Sequence, residues 1–239
     1  MIDFHLMKLR ARSDISAEEE AAIRDMVTDV VEIRADRRLV TAYEPLNTSS
    51  ILLSGIACRY KDLRNGSRQI TELHVAGDFA DLHAFTLKHL DHDVLALTDC
   101  RFAVVPHERL RVLTEHFPHL TRVYWFATNL DAAIHREWEL SLGRRSAQAA
   151  LAHLFCEMEV RLGIVGLAQN GEYQLPITQN DLAECLGLTS VHANRTLQEL
   201  RATGLLEFRA GEVKIFDQAR LRAVAEFNPG YLYLDRQPG

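Results

Sequence analysis

The chain has 239 residues, 47% hydrophobic and 25% charged, with a formal net charge of −6. These are the proportions of a globular protein with one large domain or two modest ones. An acidic total excludes a protein that coats nucleic acid through a generally basic surface.

No run of about 18 apolar residues occurs, so no transmembrane helix is expected. The opening "MIDFHLMKLRARSD" mixes charge into its apolar part and lacks a small-residue cleavage site, so it is not read as a signal peptide. Cys58, Cys100, Cys156 and Cys185 are scattered with no C-x-x-C pair. That usage fits reduced thiols in the cytoplasm better than a disulfide framework or a zinc site.

Residues 13–30 begin with Ser13 and Asp14 before an acidic turn. Ile15, Ile23, Met26, Val27 and Val30 then recur at mostly helical spacing, which predicts a helix there. From about 31 to 105 the chain changes to short β-branched runs, "ILLSGIACRY", "RQITELHV", "VLALT" and "CRFAVV", punctuated by "RNGS" and "AGD". "YKDLRNGSRQITEL" reads as two strands across an Asn-Gly turn. Strands at this spacing predict a compact all-β sandwich or barrel.

Pro106 opens a short helix, "PHERLRVLTEHF", broken near Pro118. Beyond it Leu120, Val123, Ala127, Leu130 and Ile134 alternate in steps of three and four, the repeat of helix-to-helix packing. We read this as the seam of a two-fold dimer, the alternative being a long helix packed on its own domain, with Tyr124, Trp125 and Phe126 widening the apolar face. "LGRRS" (142–146) breaks the pattern as a hinge. Ala150, Leu151, Leu154, Phe155, Met158 and Leu162 then form one side of an amphipathic helix, and "GIVGLAQNGEYQLP" reads as a loop.

The segment "TQNDLAECLGLTSVHANRTLQELRATGLL" carries the clearest signal. Thr178 and Asp181 have capping-box spacing, so a helix begins near Gln179 with Leu182, Ala183 and Leu186 buried. Gly187 supplies a tight turn, and Thr189 caps a second helix that buries Ala193, Leu197 and Leu200. Small residue, Gly four positions on, and apolar anchors on both sides make a helix-turn-helix pattern. "LLEFRAGEVKIF" follows as a hairpin wing turning at Ala210-Gly211.

Beyond Gly143 the chain carries 10 basic and 11 acidic side chains, so DNA contact there depends on placement rather than net charge. Ser190, Val191, Asn194 and Arg195 face away from the helix core as candidate base contacts. Arg195 suits bidentate binding of guanine, and Val191 suits a thymine methyl. Thr178, Asn180, Thr189 and His192 are candidate phosphate contacts, which position without specifying sequence.

Through these motifs the chain resembles the Crp/Fnr superfamily of bacterial transcription regulators over nearly its whole length. The "GDF" turn (77–79), the long helix and "ITQNDLAECLGLTSVHANRTLQELRATGLL" carry the resemblance. It implies an α+β chain: a cyclic-nucleotide-binding-like β-roll with flanking helices over 1–112, a dimerisation helix and hinge over 113–143, and a winged helix-turn-helix over 144–239. It also implies a cytoplasmic homodimer on a palindromic promoter site in double-stranded DNA, with RNA polymerase as a further partner and an unknown effector. The family's recognition-helix Arg falls on Arg195, and two other common readers fall on Ser190 and Val191.

The sensor region departs from the cyclic-AMP-binding pattern. Asp81 stands where that pattern has Glu, and "LDHDV" (90–94) offers two carboxylates where an Arg-Ser or Arg-Thr pair is expected. A cyclic phosphate would be repelled there. No Cys precedes Cys58, so the N-terminal cluster of iron–sulfur members is missing too. His83, His89 and His92 with Asp91 and Asp93 have metal-ligand atoms, but a polar surface turn accounts for them, and neither metal nor cofactor is assigned.

The expectation is therefore a non-enzymatic, DNA-binding transcription regulator that does not respond to cyclic AMP. The alternative is a small-molecule or metal sensor whose ligand in the β-roll is required for DNA binding. No Gly-rich phosphate loop, G-x-S-x-G or H-E-x-x-H occurs to suggest an enzyme.

Overall fold

The computed structural model describes residues 1–235. They form two units, Met1–Tyr60 with Leu73–Ala133 and the residues from Tyr233, and Lys61–Glu72 with Ile134–Leu232.

The first unit starts with a helix that the sequence pattern did not reveal, α1 (Asp3–Arg10), which buries Leu6 and Leu9 beside Ile2. Helix α2 (Ala17–Asp25) opens on a capping box. The Ser16 hydroxyl accepts from the Glu19 N–H at 3.2 Å, and the Glu19 carboxylate accepts from the Ser16 N–H at 2.9 Å. It is shorter than the 13–30 pattern predicts. Val30 already belongs to β1 (Asp29–Ile33), and Val27 and Val30 reach the same apolar cluster as the helix without being part of it.

The strands that follow are β2 (Arg37–Val40), β3 (Thr48–Ser54), β4 (Ala57–Asp62) and β5 (Arg68–His74). After the short helix α3 (Ala84–Leu87) come β6 (Asp93–Ala96) and β7 (Cys100–Pro106). "ILLSGIACRY" divides into β3 and β4 at Gly55, whose φ is +93° and whose added Cβ would sit 2.6 Å from the Asp99 carbonyl oxygen. One sheet has the order β1-β7-β3 and the other β2-β6-β4-β5.

The two-residue period of β3 shows why the roll needs helices outside it. Ile51 and Leu53 belong to one apolar cluster, shared with Leu6, Ile23 and Leu120, whereas Leu52 belongs to a second, shared with Val94 and Phe102. β7 alternates likewise, with Ala103 and Val105 in the first cluster and Phe102 in the second. Both strands are thus buried on both faces.

Pro106 is the N-cap of α4 (His107–His116), and Pro118 opens the long α5 (Pro118–Gly143). On α5 the expected dimer stripe turns inward. Leu120 and Val123 are buried with Tyr124 in the first cluster, Ala127 packs partly against it, Leu130 is half-buried, and Ile134 is buried in the second unit. Leu120, Val123 and Ile134 are thus packed within the chain, while Ala127 and Leu130 keep part of their surface exposed. Trp125, Asn129 and Ala132 occupy the exposed side of the helix.

In the second unit α5 stops at Gly143, and Ser146 caps α6 (Ala147–Ile164) by accepting the Ala149 N–H at 3.2 Å. Helix α6 is buried nearly all round instead of on one side. The buried Glu157 accepts from Trp138 Nε1 at 3.2 Å, Arg161 Nη1 at 3.0 Å and the Tyr231 hydroxyl at 2.7 Å. Burial still pushes the Glu157 carboxyl upward. The expected loop before Thr178 contains a hairpin, β8 (Ala168–Gln169) and β9 (Glu172–Gln174). Two residues of β8 are too few to register as a pattern, and β9 is held by pairing with a strand some 40 residues on in the chain, β11 (Glu212–Ile215).

Candidate DNA-binding interface

Helix α7 (Gln179–Leu186) begins at Thr178, whose hydroxyl accepts from the Asp181 N–H at 3.1 Å while Asp181 accepts the Thr178 N–H at 2.7 Å. It ends at Gly187, in the left-handed region at φ +63°. Helix α8 (Ser190–Ala202) is capped by Thr189, which accepts from the His192 N–H at 3.3 Å. Leu182, Ala183 and Cys185 of α7 are buried, as are Ala193, Thr196, Leu197 and Leu200 of α8. Leu186, expected inside, is only half-buried; Cys185 and Thr196 fill interior positions that the periodicity did not single out.

The outer face of α8 presents the named residues together. Val191 is 83% exposed, the largest exposure among the large apolar side chains of the described residues, and Ser190, Arg195 and Gln198 stand beside it. Asn194 is half-buried and accepts from Gln198 Nε2 at 3.4 Å. Arg195, its side chain 68% exposed, has Nε 3.7 Å from Glu199 Oε1. The Ser190 hydroxyl donates to Asn180 Oδ1 at 2.9 Å, and Asn180 Nδ2 donates to Glu184 at 2.9 Å. A hydrogen-bonded chain therefore ties the start of α8 to α7. His192 is half-buried.

The wing is formed by β10 (Leu206–Arg209) and β11, turning at Ala210 (φ +51°) and Gly211 (φ +80°). Two successive left-handed residues suit a two-residue hairpin turn. Beside the wing, a cleft of about 500 Å3 is lined by Thr178, Gln179, Arg201, Phe208, Arg209 and neighbouring backbone. Arg201 and Arg209 were not singled out from sequence. Their signal was there in principle: a cation in the last turn of α8 and another at the wing tip, both on the side where Thr178 stands.

The interior of the roll is chemically different. Asp81 is buried and accepts the Ser50 N–H at 2.6 Å; burial pushes its carboxyl up to about 7, against the pull of that hydrogen bond and of Arg59. The Arg59 side chain, 2% exposed, donates from Nε to the Ala80 carbonyl at 3.0 Å and from Nη2 to Asp131 of α5 at 2.9 Å. In the histidine-rich turn, the rings of His83 and His92 lie 5.3 Å apart and Asp93 accepts the Ala42 N–H at 3.1 Å. Among the described residues no group of three or more His, Cys, Asp or Glu side chains is placed to hold a metal ion.

Two family models match this arrangement of parts. A cyclic nucleotide-binding domain model covers residues 30–117, and a Crp-like helix-turn-helix domain model covers residues 149–224. The class is thus a sensor-type β-roll joined to a DNA-binding helix-turn-helix. The nitrogen fixation regulation protein FixK of Bradyrhizobium diazoefficiens is 31% identical over 191 residues, 78% of each chain. The transcriptional activator protein FnrL of Cereibacter sphaeroides is 28% identical over 212 residues, 85% of this chain and 83% of its own. Among solved structures, FixK2 from Bradyrhizobium japonicum superposes with a TM-score of 0.76 at 26% identity, covering 83% of this chain and 97% of that one. The chain belongs to the Crp/Fnr family of transcription regulators. No helix among the described residues is long and apolar enough to cross a membrane.

Proposed function

We propose that the chain is a homodimeric, sequence-specific regulator in the cytoplasm that lays α8 in the major groove of a palindromic promoter site, without enzymatic activity of its own. The observation that carries this reading is the outer face of α8, where Ser190, Val191 and Arg195 stand exposed around a helix whose opposite face is buried. Arg195 is the base reader, exchanging Glu199 for guanine O6 and N7, with Val191 against a thymine methyl and Asn194 at the flank. Thr178, Asn180, Thr189 and His192 hold phosphates where the positive ends of α7 and α8 face the backbone, and Arg201 and Arg209 add charge beside Thr178. The dimer forms through the exposed side of α5, at Trp125, Asn129 and Ala132, because Leu120 and Val123 are taken up by the chain's own core. The functional division is 1–112, 113–143 and 144–239.

Selection of bound sequences from random DNA with the purified protein tests this directly. A two-fold symmetric site is expected, with affinity that falls steeply as salt rises. Enrichment of no sequence refutes the specific reading, and a monomer by sedimentation refutes the dimer. A Trp125→Glu substitution should shift the protein toward monomer.

A second reading, that an effector in the roll switches DNA binding, is favoured by one observation. The Arg59–Asp131 pair joins the interior of the roll to α5, so a ligand that competes for either partner bears on that helix. A cyclic nucleotide is the wrong chemistry for it, since Asp91 and Asp93 of "LDHDV" stand where an Arg-Ser or Arg-Thr pair would hold its phosphate.

A further inference from the structure

Beneath the N-terminal helix lies a partly open cavity of about 80 Å3 that is separate from α8 and its cleft. Its apolar wall is built from three places in the chain: Leu9 on α1, Phe79 and Leu82 beyond the Gly77 turn, and Phe126, Ala127 and Leu130 on α5. Because the cavity is open on one side, an occupant displaces water from its aliphatic and aromatic side chains and gains dispersion contacts with them. Such a site gains from an occupant of its own polarity.

The polar groups around it restrict what that occupant is. Lys8 is ion-paired with Asp78, and Asp131 with Arg59 at 2.9 Å. Arg12 donates to the Lys8 carbonyl at 3.4 Å and lies 6.0 Å from the centroid of the Phe126 ring. His5 has its ring nitrogens 2.8 Å from the Gly77 carbonyl and 3.3 Å from the Tyr124 hydroxyl, and its ring stands edge-on to Phe79 at 5.2 Å. Burial lowers His5 to about 4, so it is neutral at physiological pH. Lys8, Asp78 and Asp131 in the wall are thus engaged in ion pairs, and Arg12 is held by a carbonyl and a ring face. A charged guest must break one of these pairs, whereas an uncharged ring meets Phe79 and Phe126 in edge-to-face or offset geometry with no such cost.

We propose that this cavity between α1, the 77–79 turn and α5 is a binding site for a small neutral aromatic molecule of about one ring. The site lies against α5 rather than within the strand-lined interior, so its occupant braces α1 against the long helix. Binding is read on the protein alone, so the outcome stands apart from whether α8 reads DNA.

The test uses p-cresol as the neutral probe and 4-methylbenzoate as its charged counterpart, on the full chain. Calorimetry should show saturable binding of p-cresol, at least tenfold tighter than the carboxylate. At a hundredfold excess over Kd, Tm should rise on the order of 5–10 °C. Leu9→Trp and Ala127→Trp fill the cavity from opposite walls, and each should abolish the response. Photolabelling with 4-azidotoluene, followed by peptide mapping, gives a readout that needs no variant: label is expected in residues 1–13 and 123–131. Absence of saturable binding, carboxylate binding as tight as p-cresol, or label elsewhere overturns the proposal. So does full binding in both filled variants.

Discussion

Replacing Asp131 with Ala is the sharpest probe of how the β-roll is held. The substitution removes the carboxylate that Arg59 Nη2 reaches at 2.9 Å and leaves the guanidinium, 2% exposed, in a low-dielectric interior with the Ala80 carbonyl still accepting from Nε. Truncating one partner of a buried ion pair costs about 3–5 kcal/mol. Asp131 is 25% exposed and part of its charge is solvated, which places the expected loss at the low end, about 3 kcal/mol. For a chain of this size that lowers Tm by roughly 6–12 °C. Urea denaturation of the wild type, Asp131→Ala, Arg59→Met and the double variant completes a cycle. The double variant should recover part of the loss, because the cost lies in a buried guanidinium deprived of one carboxylate and not in the missing attraction itself. A loss below about 1 kcal/mol, or a double variant no more stable than Asp131→Ala, would refute the reasoning.

Asp81 gives a pH signature. Its folded pKa, about 7, lies above that of an unfolded Asp, so the folded state binds the proton more tightly. Stability associated with this group is fully present below about pH 4 and declines as pH rises toward 7, by a total of about 4 kcal/mol. Asp81→Asn should therefore flatten the decline between pH 4 and 7 in urea midpoints; an unchanged slope would count against it. Arg195→Ala should cost about 1–3 kcal/mol on a selected DNA site, measured by fluorescence anisotropy, while leaving Tm nearly unchanged. Thr178→Ala removes an N-cap and should destabilise the second unit by about 1 kcal/mol, detectable as faster amide exchange in α7.

The sequence was most legible where local chemistry decides the backbone. Thr178, Gly187 and Thr189 each act on neighbours within a few residues, and the structure places them as two caps and a left-handed turn. Asn65-Gly66 joins β4 and β5 for the same reason, with Gly66 at φ +84°. What escaped detection depends on distant partners. Helix α1 has no side-chain cap at its start, and its apolar residues acquire meaning only against the cluster that includes Ile51 and Leu120. Glu157 and Arg161 lie off the apolar side predicted for α6, and only the folded chain brings Trp138 and Tyr231 to the same carboxylate. On α5 the spacing identified a packed stripe correctly but could not say which surface packs on it. Of the residues assigned to DNA, the exposed set on α8 followed from helical periodicity alone. Arg201 and Arg209 needed the wing to fold back beside α7 before they shared a cleft with Thr178.

The carboxylate of Glu199, one turn beyond Arg195 on the outward side of α8, bears on how such a protein finds its site. In the proposed reading mode, a guanidinium out of register with a guanine edge stays with Glu199, whose charge also repels nearby phosphates. Fewer counterions are then released at a non-specific site than the cations on the domain would suggest. Residence at wrong sites is shortened, and sliding along the duplex proceeds over a smoother landscape. In that proposed mode, giving up Glu199 becomes favourable only where a base pair offers the guanidinium two acceptors at once, so an acid beside Arg195 favours fast search and selective arrest.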